Sequence, residues 1–318
     1  MKRLILGVVF VTLVWSGWWF WQASATRGQV EAWLGDRRAD GWVAEYSDIS
    51  VRGFPNRLDV TLTDLSLADP NSNMVWEAAF FQILSLSYDR DHHILIFPDQ
   101  QTLSYQGKQH EITSDGLRAS VVFEEGRIER LNAEAETLNW DGIALATTTA
   151  AFLRQDEQLY QLAVLAEAIA QNATGLAVVN DGRASNAKLN ALVQFDQDWS
   201  LASVEMARPQ PTHIDLKQLS YQLDGLELEM AGKLDVSASG LGDGELTLRA
   251  VNWQEALEQA RLNDHLPGGM METLVQGLSL VAGLKGRADT LDLPFHINNG
   301  EMALGLLPLG QAPRFQIP

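Results

Sequence analysis

The sequence contains no cysteine and has few basic residues beside its acidic ones. Without cysteine the chain cannot form disulfides, zinc fingers, iron–sulfur sites or a thiol nucleophile. Against 41 Asp and Glu residues there are only 23 Lys and Arg residues, which gives a formal charge of −18. This balance disfavours a nucleic-acid binder, because affinity for phosphate comes mainly from Lys and Arg. Hydrophobic residues make up 46% of the chain, which is too many for a disordered acidic protein.

The sequence also lacks the compact motifs that mark common active sites. It has no G-x-S-x-G elbow, and no S-x-x-K accompanied by its supporting motifs. His92 and His93 are adjacent, so on a strand their rings would face opposite ways and would rarely share one metal ion. We interpret residues 89–93 as a solvated hairpin loop. We therefore expect a protein that is not an enzyme and that holds no metal and no cofactor.

One long apolar run is present, at the N-terminus. Residues 4–21 carry no charge, and a helix of this length rises about 27 Å, close to the hydrocarbon thickness of a bilayer. Lys2 and Arg3 precede the run, so the positive-inside rule places residues 26–318 outside the cytoplasm. Indole rings collect at membrane–water interfaces, and four of them end this run. The candidate anchor residues are Leu4, Phe10, Trp15, Trp18, Trp19 and Trp21.

Two interpretations of this segment compete. The run is longer than the 7–15 apolar residues of a typical secretory signal, which favours a retained single-pass anchor over residues 1–25. However, Ala23, Ser24 and Ala25 fit a signal-peptidase site, and cleavage near Ala25 would release a soluble periplasmic protein. In either case residues 26–318 form the remaining domain, with a charge of −20 because residues 1–25 hold two basic residues and no acid.

Beyond the apolar run the pattern changes from helical to alternating. Residues 29–38 have helical spacing, and Gly41 ends that stretch. Residues 57–63 alternate, with Leu58, Val60 and Leu62 on one face, as in a half-buried strand. Leu65 and Leu67 continue the pattern with the opposite parity. We therefore predict a β-bulge or tight turn near Asp64, since one extra residue would change the face.

The same spacing recurs 161 residues later, where Tyr221, Leu223, Leu226 and Leu228 match Val60, Leu62, Leu65 and Leu67. This suggests two similar halves, at about residues 43–200 and 201–318. The other interpretation is that any antiparallel sheet reuses such a pattern.

Other alternating segments predict further strands, and two predict helices. Residues 159–169 fit helix by their alanine content and strand by the short polar loop before them. Residues 252–262 and 271–284 have helical spacing, and Asn252 can cap the first. The predicted fold is mainly β (α+β): an N-terminal transmembrane helix, extended and curved antiparallel sheets, and a helical pair near the C-terminus.

Three segments resemble a known family. They are SVRGFPNRL (residues 50–58), GKLDVSASGLGDGELTLRA (residues 232–250) and LGLLPLGQAPR (residues 304–314). Together with the anchor they resemble the alphaproteobacterial family of unknown function numbered 2125. More distantly, the anchor followed by G-F-P and short strands is similar to AsmA-like envelope proteins. That likeness implies a membrane-tethered, β-rich periplasmic protein linked to lipid transport, and it implies no catalytic residues.

The apolar strand faces suggest the function. We expect Leu58, Val60, Leu62, Leu226, Leu228 and Met230 to line a core or an apolar groove. Beside a membrane, lipid acyl chains are the abundant apolar ligand. We therefore expect a single-pass protein of the bacterial inner membrane, with residues 26–318 in the periplasm and a role in lipid binding or envelope maintenance. The alternative is a non-catalytic scaffold or assembly factor whose acidic surface binds protein partners that the sequence does not identify.

Overall fold

The computed structural model describes residues 1–70, 72–105, 107–171, 185–223, 226–254, 290–305 and 307–317. The chain forms two compact units. The first comprises Met1–Ala144 and Ala170–Ala177, and the second comprises Leu145–Ile169 and Val178–Pro318. Most described residues outside the N-terminal helix lie in antiparallel strands, so the predicted mainly-β fold with an N-terminal apolar helix is confirmed.

The first unit is a helix packed on an antiparallel meander. Helix α1 covers Lys2–Ala39. The strands are β1 (Val43–Glu45), β2 (Asp48–Arg52), β3 (Arg57–Asp69), β4 (Met74–Leu86), β5 (Asp89–Ile96), β6 (Gln100–Tyr105), β7 (Lys108–Asp115), β8 (Arg118–Glu124) and β9 (Arg127–Trp140). β5 and β6 follow one another along β4, and β7 and β8 follow one another along β9. Two long strands of the meander are therefore interrupted, at residues 97–99 and 116–117.

The interruptions continue a line of irregular backbone that starts at Asp64 in β3. Asp64 has a φ of 49°, and its Oδ2 accepts a hydrogen bond from Ser47 Oγ at 2.8 Å. Leu62 and Leu65 are buried in the same cluster despite their odd spacing, which confirms the predicted change of face. The register of β3 on β4 is the same on both sides of Asp64. The left-handed backbone at Asp64, rather than an inserted residue, therefore makes the change.

Helix α1 runs without a break through residue 25 and supplies part of the first unit's core. Trp19, Ala23, Val30 and Leu34 recur at intervals of four and seven residues and so share one face. This face packs on Ala44, Ile49, Val51, Leu58, Val60, Leu62 and Leu65. Fifteen residues of helix and seven of strand both advance by about 23 Å, so the helix accompanies β3 over this whole distance.

The end of α1 is fixed to the sheet that follows it. Gly41 has a φ of 90°, a left-handed conformation typical of the residue that ends a helix. Arg38 Nε donates to the carbonyl oxygen of Ala44 at 2.7 Å, and its guanidinium lies 5.3 Å from the ring centroid of Tyr46. These contacts fix the connection between α1 and β1. The predicted helix end at Gly41 is confirmed.

The second unit is also an antiparallel meander. Its elements are β10 (Ile143–Asp156), β11 (Leu159–Gln171), β12 (Ser185–Phe195), α2 (Leu201–Met206), β13 (Pro211–Leu223), β14 (Leu226–Val236), β15 (Gly242–Val251), β16 (Thr290–Asn298), β17 (Glu301–Leu304) and β18 (Leu307–Gln311). From β11 to β18 each strand pairs with the next. The ambiguous residues 159–169 are therefore a strand. Buried Tyr160 stacks on Phe152 at the centre of one of its hydrophobic clusters.

Two expectations for the second unit have different outcomes. The two copies of the proposed repeat adopt different structures. Asp64 lies inside β3, whereas Leu223 and Leu226 are the paired ends of two strands, β13 and β14. A kink within a strand and a hairpin both reverse the parity of apolar residues. The sequence predicts a helical pair at residues 252–262 and 271–284. Everything in it after residue 254 lies outside the described residues.

The packing of α1 predicts a large effect of truncating Leu34, whose side chain is 1% exposed. We expect Leu34→Ala to lower the free energy of unfolding by roughly 2–5 kcal/mol, because it leaves a cavity between α1 and β3. The matched control is Leu201→Ala, at a residue that is 63% exposed, where we expect a change within about 0.5 kcal/mol. Urea unfolding of the full chain in detergent measures both. Equal effects would show that α1 does not pack as described.

Candidate functional site

The junction between α1 and the β2–β3 loop is held by two tryptophan side chains. Trp15 Nε1 donates to the carbonyl oxygen of Pro55 at 2.9 Å. One turn further along the helix, Trp19 Nε1 donates to the carbonyl oxygen of Arg57 at 2.8 Å. Trp19 is 4% exposed and contacts Leu58, the first buried residue of β3. The loop therefore rests against the apolar run itself and not against a later part of the helix.

The same loop completes an aromatic cluster with the helix. The ring of Phe54 lies edge-on to Trp19, at 5.5 Å between centroids, and stacks on Phe20 at 6.0 Å. Gly53 has a φ of 106°, and a Cβ there would lie 2.7 Å from the Cβ of Arg57. Glycine is thus required for the tight turn that presents Phe54 to the helix. We call residues 53–56 the aromatic loop. Sequence reasoning identified the G-F-P motif but not this contact.

The six predicted anchor residues differ in exposure. Leu4, Phe10, Trp15, Trp18 and Trp21 are exposed, whereas Trp19 is buried against the sheet. Over the described residues, α1 is the one helix that is long and apolar enough to cross a membrane. It has the length and composition of a membrane anchor or of a signal sequence. The predicted division at residue 25 lies within α1, which covers Lys2–Ala39. The packed face of the helix continues across this division from Ala23 to Leu34.

The predicted apolar residues of β3 lie in the core of the first unit. Leu58, Val60 and Leu62 are all buried, and α1 covers them. Of the six candidate groove or core residues, this set therefore belongs to the helix–sheet core. The set in β14 lies in the second unit, where Leu226, Leu228 and Met230 are half-buried on alternate positions. Leu228 packs beside Trp253 and Leu291, and Met230 packs beside Leu234 and Leu246.

The apolar surface under α1 continues across the sheet beyond the helix. Residues paired across strands lie on one face, and two neighbouring rows extend from β3 to β9. One row is Val60, Ile83, Leu95, Ala119 and Ala133, and the other is Leu58, Ser85, His93, Val121 and Leu131. Helix α1 packs mainly on β1, β2 and β3. We call the part of these rows on β4, β5, β8 and β9 the inner face. Ile83, Leu95 and Leu131 on it are half-buried, and Ala119 and Val121 are buried.

The opposite face of the same strands is more polar. There Ile94 pairs with Ser120, which pairs with Asn132, and Arg118 pairs with Glu134. A concavity of about 500 Å³ lies elsewhere on this unit, where Asp64, Glu77 and Glu111 are among its lining residues. Among the described residues, no group of three or more His, Asp or Glu side chains could hold a metal ion. The concavity presents exposed carboxylates and amides, which suits water better than an apolar ligand.

His92 and His93 lie in a strand and not in the predicted loop. The turn is at residues 87–88, and β5 begins at Asp89, so the loop predicted at residues 89–93 is wrong. The charged run misled the prediction, because strand pairing with β4 and β8 outweighs its polarity. The two rings do face opposite ways. His92 Nε2 lies 2.9 Å from Ser120 Oγ, whereas His93 points into the inner face, 6.0 Å from the Phe123 ring.

Burial lowers the pKa of His93 below its usual value, because desolvation disfavours the charged imidazolium. In the unfolded chain the pKa of His93 is about 6.5, so the unfolded chain binds the proton more readily than the folded chain. The stability that neutral His93 contributes is present above that pH and is lost as pH falls through it. We expect His93→Leu to lose less stability than the wild type between about pH 7.5 and pH 5.5. Thermal unfolding at both pH values measures this. Identical losses in the two proteins would contradict it.

The segments at residues 232–250 and 304–314 meet in the second unit, where Arg314 Nη1 donates to the carbonyl oxygen of Ser239 at 3.3 Å. Phe315 N donates to the carbonyl oxygen of Gly240 at 2.8 Å. A Cβ at Gly242 would lie 2.8 Å from the Phe315 ring. The side-chain amide of Gln210 both donates to the carbonyl oxygen of Ile317, at 3.0 Å, and accepts from its N–H, at 2.9 Å. The glycines after β14 therefore make room for the C-terminal segment.

Comparison with known proteins identifies a family. The chain matches the family model described as "Uncharacterized protein conserved in bacteria (DUF2125)" over residues 19–313. A search of curated proteins and a search of solved structures find no matching protein. The matched region begins at Trp19, the first helix residue that is buried against the sheet, and it includes both units. The chain therefore belongs to this uncharacterised bacterial family, number 2125 among the domains of unknown function.

Proposed function

We propose that the protein is a single-pass membrane protein whose β-rich domain binds lipid acyl chains in the periplasm. The observation that carries the proposal is the double role of α1. Its N-terminal half is apolar and exposed, and its C-terminal half packs on the same sheet face that continues into the inner face. The bilayer and the inner face are thus connected by one rigid helix. The proposed role is binding and not catalysis.

The structure supports retention of the N-terminal segment over cleavage near Ala25. Cleavage there would remove Trp19 and Ala23, which cover Leu58 and Val51. It would also remove the indole N–H group that binds the carbonyl oxygen of Arg57. The family match, which begins at Trp19, includes the part of the helix that would be lost. Lys2 and Arg3 before the run favour a cytoplasmic N-terminus and a periplasmic domain.

The retained anchor can be tested on protein isolated from native membranes. We expect an intact mass corresponding to the full chain, 35.2 kDa, and we expect the protein to stay in the membrane pellet after an alkaline wash, because α1 crosses the bilayer. The matched control replaces residues 1–18 with a cleavable secretory signal and keeps Trp19, and its product should be released by the wash. A native mass lower by the first 25 residues would contradict the proposal.

The lipid proposal depends on the chemistry of the inner face. Ile83, Leu95 and Leu131 are half-buried apolar side chains of the inner face, and they continue the core that α1 covers. Apolar ligands bind to surfaces of this kind because their contact removes hydrocarbon from water. Among abundant apolar ligands, acyl chains are those that lie within reach of a membrane-anchored domain.

Leu95 and Ile94 offer a matched pair on one strand. Leu95 is half-buried on the inner face, and Ile94, which is 39% exposed, lies on the opposite face. We expect Leu95→Gln to reduce binding of a fluorescent fatty acid by about ten-fold, because an amide would be desolvated against the acyl chain. Ile94→Gln should leave binding unchanged. Titration of the full chain in detergent measures the affinity of each variant.

Mass spectrometry of the purified full chain provides a second measurement. Co-purified lipid that is present in the wild type and in Ile94→Gln, but reduced in Leu95→Gln, would support the proposal. Equal lipid in all three proteins would place binding elsewhere or on the anchor alone. A lipid-free protein that crosslinks to a stoichiometric partner in native membranes would instead support the alternative, a scaffold that acts through its acidic surface.

The resemblance to AsmA-like envelope proteins and the alphaproteobacterial source are part of this proposal. The likeness rests on the anchor, on the G-F-P motif and on short strands at similar spacing. In this chain that motif, at residues 53–55, is the point of contact between α1 and the sheet. A role in maintaining the envelope through lipid binding agrees with this arrangement.

A further inference from the structure

We propose that the aromatic loop, together with Tyr88, inserts into the outer interface of the bilayer and forms a second membrane contact beside α1. This inference rests on the proposed membrane anchoring, because it places the loop relative to the apolar run. Its ligand is the headgroup and upper acyl region of the lipid bilayer.

The depth of the loop follows from its hydrogen bonds to α1. Trp15 binds the carbonyl oxygen of Pro55, and Trp15 lies six residues before Trp21, the last residue of the uncharged run. Six helical residues correspond to about 9 Å. If the run spans the hydrocarbon layer, Pro55 lies below its outer boundary by up to this distance. Segments that rest in the interface are buried to a similar depth, roughly 5–10 Å.

The loop has side chains that suit this position. Phe54 is 49% exposed although it contacts Trp19 and Phe20, so it has a free surface for lipid. The neighbouring hairpin contributes Tyr88, which is 68% exposed. The two loops are joined, because Ser87 N donates to the carbonyl oxygen of Asn56 at 2.9 Å. Phenylalanine and tyrosine beside indoles resemble the aromatic belt at the surface of membrane proteins.

The local charge also permits this approach. The domain carries −20 in total and is repelled by anionic lipids. Residues 53–56 contain no acid, however, and basic residues flank them on both sides, at Arg52 and Arg57. Arg57 is paired with Asp59, and Asp89 follows Tyr88 on the next hairpin. Exposed Arg52 is therefore the group best placed to meet lipid phosphates.

The absence of cysteine makes the depth of each loop measurable in the full chain. Single cysteines are introduced by Phe54→Cys, Asn56→Cys, Val9→Cys and Lys108→Cys, and each is labelled with an environment-sensitive fluorophore in proteoliposomes. Asn56→Cys keeps the Phe54 contacts in case Phe54→Cys disturbs the fold. Val9 reports on the apolar run, and Lys108, the exposed first residue of β7, lies at the opposite end of the sheet.

We expect labels at positions 54 and 56 to show blue-shifted emission and strong quenching by lipids that carry a nitroxide near the headgroup. The label at position 108 should show neither effect, and the label at position 9 should be quenched more by a nitroxide deep in the acyl chain. Labels at 54 and 56 that behave like the label at 108, while position 9 remains deep, would overturn the inference alone. An aqueous label at position 9 would overturn the anchor as well.

Discussion

The core of the first unit depends on one helix whose exposed N-terminal half and packed C-terminal half have different surfaces. In α1, residues 4–14 are exposed and apolar, and this suits hydrocarbon better than water. From Trp19 onwards one face of the same helix is buried under β2 and β3, and Leu34 occupies the centre of that core. An α-helix satisfies its own backbone hydrogen bonds, so it can pass from lipid to protein without interruption. A strand or loop in its place would leave polar groups unpaired.

The direction of the strands relative to α1 follows from this packing. β3 runs in the same direction as α1, since Trp19 packs at Leu58 and Leu34 packs near Leu65. The loop before β3 and the turn after β4 therefore lie at one end, and residue 108 lies at the other. The change of face at Asp64 keeps both Leu62 and Leu65 under the helix. Without it, Leu65 would point to the opposite side.

Sequence reasoning found those features that depend on neighbouring residues. The parity of Leu62 and Leu65 was sufficient to locate the irregularity at Asp64, and the length of the uncharged run was sufficient to identify the apolar helix. It failed where distant residues decide. The charged run at residues 89–93 reads as a loop, but pairing with β4 and β8 makes it a strand. Nothing local in the G-F-P motif shows that Trp15 and Trp19 bond to the backbone of Pro55 and Arg57, because these partners lie 40 and 38 residues further along the chain.

The apolar face of the sheet in the first unit has two parts. Helix α1 covers one part and leaves the other uncovered. On β3 the methyl groups of Val60 and Leu62 are covered by the helix, so they stabilise the fold and are closed to a ligand. On β5 the side chain of Leu95 is only half-buried. Exposed apolar area is costly in water, and a domain held beside a bilayer has acyl chains at high local concentration to cover it. Under the proposed function, tethering lets a weak apolar surface bind acyl chains, whereas an untethered domain with the same surface would need a higher intrinsic affinity.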